Sequence, residues 1–194
     1  RRPPRSTQGV SSAASDVYKR QGEDSNQNVI TNGTSASSNN SSENSGAVYV
    51  YKRTGSTWAQ EAYIKPSNSD AGDGFGGSVS ISGNLMAVGA TGEDSNQVTI
   101  TNGSTASSNN DTSNSGAVYI FERTGSSWAQ IAYIKPPTPD VDDNFGVSVS
   151  LDNKTLLVTS WAEDSNQTTI TNGTTASANN SNAGSGAAYV FVLQ

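Results

Sequence analysis

The chain contains neither cysteine nor histidine. That removes disulfides, thiolate nucleophiles and imidazole acid–base catalysis together, and with them the usual Cys/His zinc sites. Lack of cysteine fits either redox compartment and so decides nothing about location. No apolar run is long enough to span a membrane. Charged residues make up 14% of the chain and aromatics 7%. The remainder is dominated by Ser, Thr, Asn and Gly, a composition that taken alone suggests disorder. Its regular arrangement argues for a fold.

What is present is a repeat. Gly22-Glu23-Asp24-Ser25-Asn26-Gln27 recurs at 92–97 and, as Ala162-Glu163-Asp164-Ser165-Asn166-Gln167, once more. Ile30-Thr31-Asn32-Gly33 returns at Ile100 and Ile170, and Ser45-Gly46-Ala47-Val48-Tyr49 at Ser115 and, with one change, Ser185. Every offset is 70 residues. The repeat breaks between Gln21 and Gly22, because the position one period before Phe75-Gly76 holds Arg5-Ser6. Residues 1–21 therefore read as a non-native, adapter-like leader, with a disordered arm as the alternative. Five of the eleven basic residues and one of the seventeen acids lie in that leader, so residues 22–194 carry six bases against sixteen acids, a net charge of −10. An acidic domain argues against nucleic acid as a partner. Beyond Phe191 the pattern predicts a further hairpin and strand, so the chain reads as part of a longer repeat protein.

Each period predicts four short strands separated by turn signals. The first runs over 75–82 and the second over 85–90, joined by Ser82-Gly83-Asn84. The third covers 46–51 or 116–121, and the fourth 58–65 or 128–135. The first strand alternates Phe75, Gly77, Val79 and Ile81 with Gly76, Ser78, Ser80 and Ser82, small residues suited to the crowded axis of a propeller. The second and third are apolar on both faces, as strands buried between sheets are. The fourth mixes Trp58, Ala62 and Ile64 with Gln60, Glu61 and Lys65, which suits a half-exposed outer edge. The polar stretch 91–114 reads as a long loop between strands two and three, or else as a flexible linker. Without it each period is about 47 residues, an ordinary blade length. The fold class is therefore all-β: propeller blades of four-stranded antiparallel meanders, in an incomplete propeller.

The predicted division is a leader at 1–21, the second half of a blade at 22–74, a complete blade at 75–144 and three strands of the next at 145–194. Such blades lean on their neighbours for stability.

Phe75-Gly76, then Val88-Gly89-Ala90, then Gly116-Ala117-Val118-Tyr119-Ile120-Phe121 resemble the FG-GAP repeat of integrin α-subunit propellers and bacterial surface proteins. Phe145-Gly146 and Gly186-Ala187-Ala188-Tyr189-Val190-Phe191 begin the pattern again. The structural motif residues are thus Phe75, Gly76, Gly89, Ala90, Phe145 and Gly146. Thr91 stands where the family usually has proline, and the third copy reads Thr159-Ser160-Trp161. The resemblance implies a secreted or cell-surface adhesion module with a protein or glycan ligand. The family's calcium loop between strands one and two is missing, since the turns Ser82-Gly83-Asn84 and Asp152-Asn153-Lys154 are too short.

Acids gather instead on the opposite face, where the long loops and the connections between blades meet. The connections carry Asp70, Asp73, Asp140, Asp142 and Asp143; the loops open with Glu23-Asp24, Glu93-Asp94 and Glu163-Asp164. Such oxygen ligands suit calcium, so Asp70, Asp73, Glu93, Asp94, Asp140, Asp143, Glu163 and Asp164 are the expected metal ligands. Turn residues capping backbone N–H groups are the alternative. Asn-x-Ser/Thr triplets at Asn32, Asn102 and Asn172 arise readily in a chain of this composition. An enzyme is not expected: similar acids recur in every blade, whereas a carboxylate pair working on one bond needs an asymmetric site. The functional expectation is a binding module whose loop-bearing face takes a ligand, with a structural spacer or a calcium-dependent lectin-like module as alternatives.

Overall fold

A computed structural model describes residues 15–20 and 22–194, with side chains from Gly22 onward. All its regular structure is β: β1 (Ser15–Arg20), β2 (Thr31–Asn32), β3 (Ala47–Thr54), β4 (Thr57–Ile64), β5 (Ser78–Ser82), β6 (Leu85–Ala90), β7 (Thr101–Asn102), β8 (Ala117–Thr124), β9 (Ser127–Ile134), β10 (Ser148–Asp152), β11 (Thr155–Ser160) and β12 (Ala187–Val192). Among the described residues no helix is long and apolar enough to cross a membrane.

The middle sheet holds the four-stranded meander the periodicity predicts. Its strand order is β5-β6-β8-β9-β7, with every pairing antiparallel. The fifth member is unexpected. β7 is a two-residue strand from the long polar loop, laid along the outer side of β9 with Thr101 opposite Tyr133. The first sheet repeats this with Thr31 of β2 opposite Tyr63 of β4. The fourth strand is half-exposed, as its sequence suggests, but its C-terminal half is not a free edge. Ala62 to Ile64 are fully buried, whereas Thr57, Trp58 and Ala59 at its start are exposed. A long loop folded back over the edge removes a row of free backbone groups that could pair with another chain.

Of the leader read at 1–21, only Ser15–Arg20 falls within the described residues. It pairs with β3 in the register in which β6 pairs with β8: Val17 opposes Val50 as Ala87 opposes Ile120. The third sheet contains β10, β11 and β12 in that order.

Apolar cores lie between sheets, not within one. Val48, Val50, Ala62 and Ile64 of the first blade meet Phe75, Met86, Val88, Tyr119 and Phe121 of the second. Ala87, Val118, Ile120, Ala132 and Ile134, on the other face of that second blade, meet Phe145, Val149, Leu151, Leu156 and Val158 of the third. Each fully buried side chain of this size stabilises by about 1.5–3 kcal/mol, and most of that is shared between neighbours. Phe75 makes edge-on contacts with Tyr119 at 5.5 Å and Phe121 at 5.9 Å between ring centres, a geometry aromatic pairs favour.

The motif glycines are sites of close backbone approach. A side chain on Gly89 would place its Cβ 2.1 Å from the Gly146 carbonyl of the next blade and 2.4 Å from Ser78 Oγ. Gly116, at φ +80°, forms a parallel bridge to Phe145, whose carbonyl would lie 2.2 Å from an added Cβ. Here backbone passes against backbone, and only glycine fits.

The serine face of β5 has a specific task. Ser78 Oγ donates to the Gly146 carbonyl at 2.7 Å, and Ser80 and Ser82 Oγ accept from the amides of Leu151 and Asn153 at 2.9 Å each. Short hydroxyl side chains thus hydrogen-bond one innermost strand to the backbone of the next.

Candidate functional site

The acid-bearing loops leave their blades through a narrow neck. In the second blade Gly116 N donates to the Glu93 carbonyl at 2.8 Å and Thr112 N to the Asp94 carbonyl at 2.7 Å. The buried Ser115 hydroxyl reaches the carbonyls of Glu93 and Ser95. Asp94 Oδ1 accepts from Asn114 N at 2.7 Å. The first blade repeats the pattern: Asp24 caps Asn44 N at 2.8 Å, and Ser45 reaches the carbonyls of Glu23 and Ser25. In the third, Asp164 caps Gly184 N at 2.6 Å. Asp in this position matches a backbone N–H, as short acidic side chains do in turns.

Behind the neck sits a buried ion pair. Lys135 Nζ lies 2.8 Å from Glu93 Oε2 and 2.7 Å from Ser115 Oγ, with both charged side chains almost wholly enclosed. Lys65 makes the same arrangement with Glu23 at 3.3 Å, Ser45 Oγ at 2.7 Å and the Gly46 carbonyl at 2.6 Å. Burial pushes both ammonium groups below the ordinary lysine value, and the facing glutamate opposes that shift. Glu93 is fully occupied: Tyr133 Oη donates to Oε1 at 2.8 Å, Asn68 Nδ2 to Oε1 at 3.2 Å and Ser95 N to Oε2 at 3.2 Å. Tyr119 Oη donates to Asn68 Oδ1 at 2.7 Å, which closes the network.

The connection between blades packs against this network. Asp70 N donates to Asp73 Oδ2 at 2.8 Å, and Asp140 N to Asp143 Oδ2 at 3.0 Å. Asp73 is buried, and desolvation, reinforced by the charges of Glu93, Asp70 and Asp94, raises it to about 8. Asp143 is raised to about 6, again chiefly by burial. Burial also raises Glu163.

The expected calcium ligands are thus placed as follows. Asp73 lies within electrostatic reach of Asp70, Glu93 and Asp94, and Asp143 within that of Asp140, Glu163 and Asp164. Yet among the described residues no three acidic side chains converge as ligands of one ion. Glu93 is saturated by Lys135, Tyr133, Asn68 and Ser95, and Asp94 and Asp73 cap backbone amides. Around Glu93 the carboxylate oxygens are already taken up by an ammonium, a phenol, an amide and a backbone N–H, an arrangement that does not fit a calcium ion at that position.

Several residues that matter were not singled out from the sequence. Lys65 and Lys135 each follow their glutamate by 42 residues, a fixed spacing within the repeat that could have marked the pair. Gln60 Nε2 donates to the carbonyls of Gly33 and Ser35, and Gln130 Nε2 to that of Thr105, so the fourth strand pins its own loop. Asn32 stood out in the sequence only as part of a repeated Asn-x-Ser/Thr triplet. Its side-chain amide accepts from Trp128 N at 2.8 Å and donates to Trp128 O at 3.4 Å, tying the first blade's loop to the next blade's fourth strand. Beside it Glu61 accepts from Arg123 Nε at 2.7 Å, Arg123 Nη2 at 2.5 Å and Trp128 Nε1 at 3.2 Å.

The exposed parts of the loops are equivalent steps of Asn39-Asn40-Ser41, Asn109-Asn110-Asp111 and Asn179-Asn180-Ser181. In each the first Asn Oδ1 accepts from the amide two residues on, at 2.9, 3.1 and 3.0 Å, leaving the second Asn exposed. A family model described as FG-GAP repeat matches residues 58–121 and 128–191. No curated protein matches the chain.

Proposed function

Since this chain belongs to the FG-GAP repeat family, we propose that it is a non-catalytic recognition module of an extracellular or cell-surface protein, binding a protein or glycan through its loop-bearing face. One observation carries this reading. Three polar loops, each clamped at its neck, expose Asn40, Asn110 and Asn180 at equivalent positions of successive periods, with the Asn110 amide also donating to Asp70 Oδ2 at 3.2 Å. A regular row of exposed amides on a rigid support suits a ligand met at several points, where modest contacts add through avidity. The sequence has neither histidine nor cysteine, and among the described residues Glu23, Glu61 and Glu93 are each held in an internal ion pair, which supports a non-catalytic reading. Calcium is given no part in this reading.

The test is an array of glycans and extracellular matrix proteins, probed with the chain and with its N40A/N110A/N180A variant. Saturable binding that the variant loses supports the reading. Binding that survives the substitutions, or none at all, overturns it. The second reading, a structural spacer, is favoured by the inward bonds of Gln60, Lys65 and Asn32, which spend much of each loop on the blade itself. It predicts that the triple variant behaves as the parent in every assay.

A further inference from the structure

In the second blade one carboxylate bridges an amine and a carboxamide. Lys135 Nζ lies 2.8 Å from Glu93 Oε2, and Asn68 Nδ2 donates to Glu93 Oε1 at 3.2 Å. Asn68 Nδ2 also donates to the Ser107 carbonyl at 2.6 Å, and Tyr119 Oη donates to Asn68 Oδ1 at 2.7 Å. Both polar atoms of the carboxamide are therefore held, and its plane is fixed. Lys135 and Glu93 are almost wholly enclosed, whereas Asn68 is half-buried, which leaves a small product a way out.

The carboxamide is not a constant part of the repeat. In the first blade Lys65, Glu23 and Ser45 supply the lysine, the acid and the hydroxyl again. One period beyond Asn68 stands Thr138. Threonine can donate and accept hydrogen bonds as asparagine can, so either side chain could serve a purely structural network. Only asparagine adds an electrophilic carbon beside the lysine.

We propose that Lys135 and Asn68 join in an intramolecular amide bond, with Glu93 as the proton carrier. Lys135 Nζ passes a proton to Glu93 Oε2 and attacks Asn68 Cγ with the freed lone pair. The carbonyl electrons move to Oδ1, where the Tyr119 hydroxyl stabilises the developing charge. Glu93 returns the proton to Nδ2, the Cγ–Nδ2 bond breaks, and the carbonyl re-forms. The new amide nitrogen sheds its second proton through Glu93, and the displaced nitrogen leaves as ammonium. No oxidant, reductant or second substrate is consumed. Burial favours the neutral amine that the attack requires. The reaction happens once per chain and does not depend on the recognition reading. Its product ties the connection before β5 to the end of β9, closing the blade covalently in a chain that has no cysteine.

Mass spectrometry of the full 194-residue chain, purified in its folded form and then denatured and cut with trypsin, reads the bond directly. Asn68 and Lys135 fall in different peptides, residues 54–123 and 124–154, because the Lys–Pro bonds after Lys65 and Lys135 resist cleavage. The intact chain should be lighter than its sequence by one ammonia, and the two peptides should travel as one species. N68T copies the next period and leaves the Lys135–Glu93 pair in place; it should have the full mass and give two separate peptides. E93Q should lose the link as well, and Y119F should form it at least about tenfold more slowly during refolding. A parent chain of full mass overturns the proposal, as does loss of ammonia that leaves the two peptides separate. So does a linked species in N68T.

Discussion

Lys135 and Glu93, 42 residues apart, meet at 2.8 Å inside the second blade, where Lys135 Nζ also reaches the hydroxyl of Ser115. Loop entry, loop exit and the end of the fourth strand thus share one buried point. Removing one partner leaves an uncompensated charge out of water, so K135M should cost about 3–5 kcal/mol in urea unfolding. Replacing both, as E93L/K135M, should recover a large part of that loss. A double-mutant cycle giving no coupling would show that the pair does not act as a unit.

Asp73 makes stability depend on pH. An unfolded aspartate titrates near its usual value of 3.8, whereas the folded one titrates at about 8. Between those values the folded state holds a proton that the unfolded state has lost. Its contribution is therefore present at low pH and lost as pH rises through that window, levelling above about 8. D73N keeps an oxygen acceptor for the Asp70 amide but cannot ionise. It should flatten the decline between pH 5 and 8 and stabilise the chain at pH 8 by roughly 2–4 kcal/mol. A pH series of melting curves measures this directly.

Calcium should do nothing to this chain. With Glu93 saturated by four donors and Asp94 capping Asn114 N, addition of calcium or of chelator should leave the melting midpoint unmoved. Calorimetric titration should give only heats of dilution. A binding isotherm in the micromolar range would refute this assignment of the acids to internal structure.

Glu61 and Arg123 join the first two blades, and the pair is absent one period on, where Ile131 and Leu193 take their places. Truncation by E61A should destabilise by about 2–4 kcal/mol, because Arg123 and the indole N–H of Trp128 lose their acceptor. The E61I/R123L variant, which copies the next period, should regain part of it. Equal stability of the two variants in denaturant would contradict the prediction.

The strands were legible because their signals are local. Leu85-Met86-Ala87-Val88-Gly89-Ala90 reads as a strand at its observed bounds, and the turns around Gly83 and Gly55 stand where the sequence puts them. The loop was not legible. Nothing in Ile100-Thr101-Asn102-Gly103 distinguishes a two-residue strand from any other polar turn, since it is the backbone of Tyr133 that recruits it. Glu93 stood out in the sequence as an acid of the loop-bearing face, but its lysine partner did not. Glu93 pairs with a lysine on a strand that the sequence describes as an outer edge, and only the buried fold of that edge brings Lys135 inward. Cross-blade contacts such as Asn32 to Trp128 follow no periodicity within a blade, so no spacing announces them.

That last contact also orders events in time. Asn32 and Trp128 stand 96 residues apart, so on a ribosome the amide emerges long before the strand it will grip. The first blade can close its own neck through Lys65 early, but its loop stays unlatched until nearly all of the second blade has been made. Long-range closures of this kind come late and slowly. The latch on the first blade's loop therefore closes only once the second blade's fourth strand is in place.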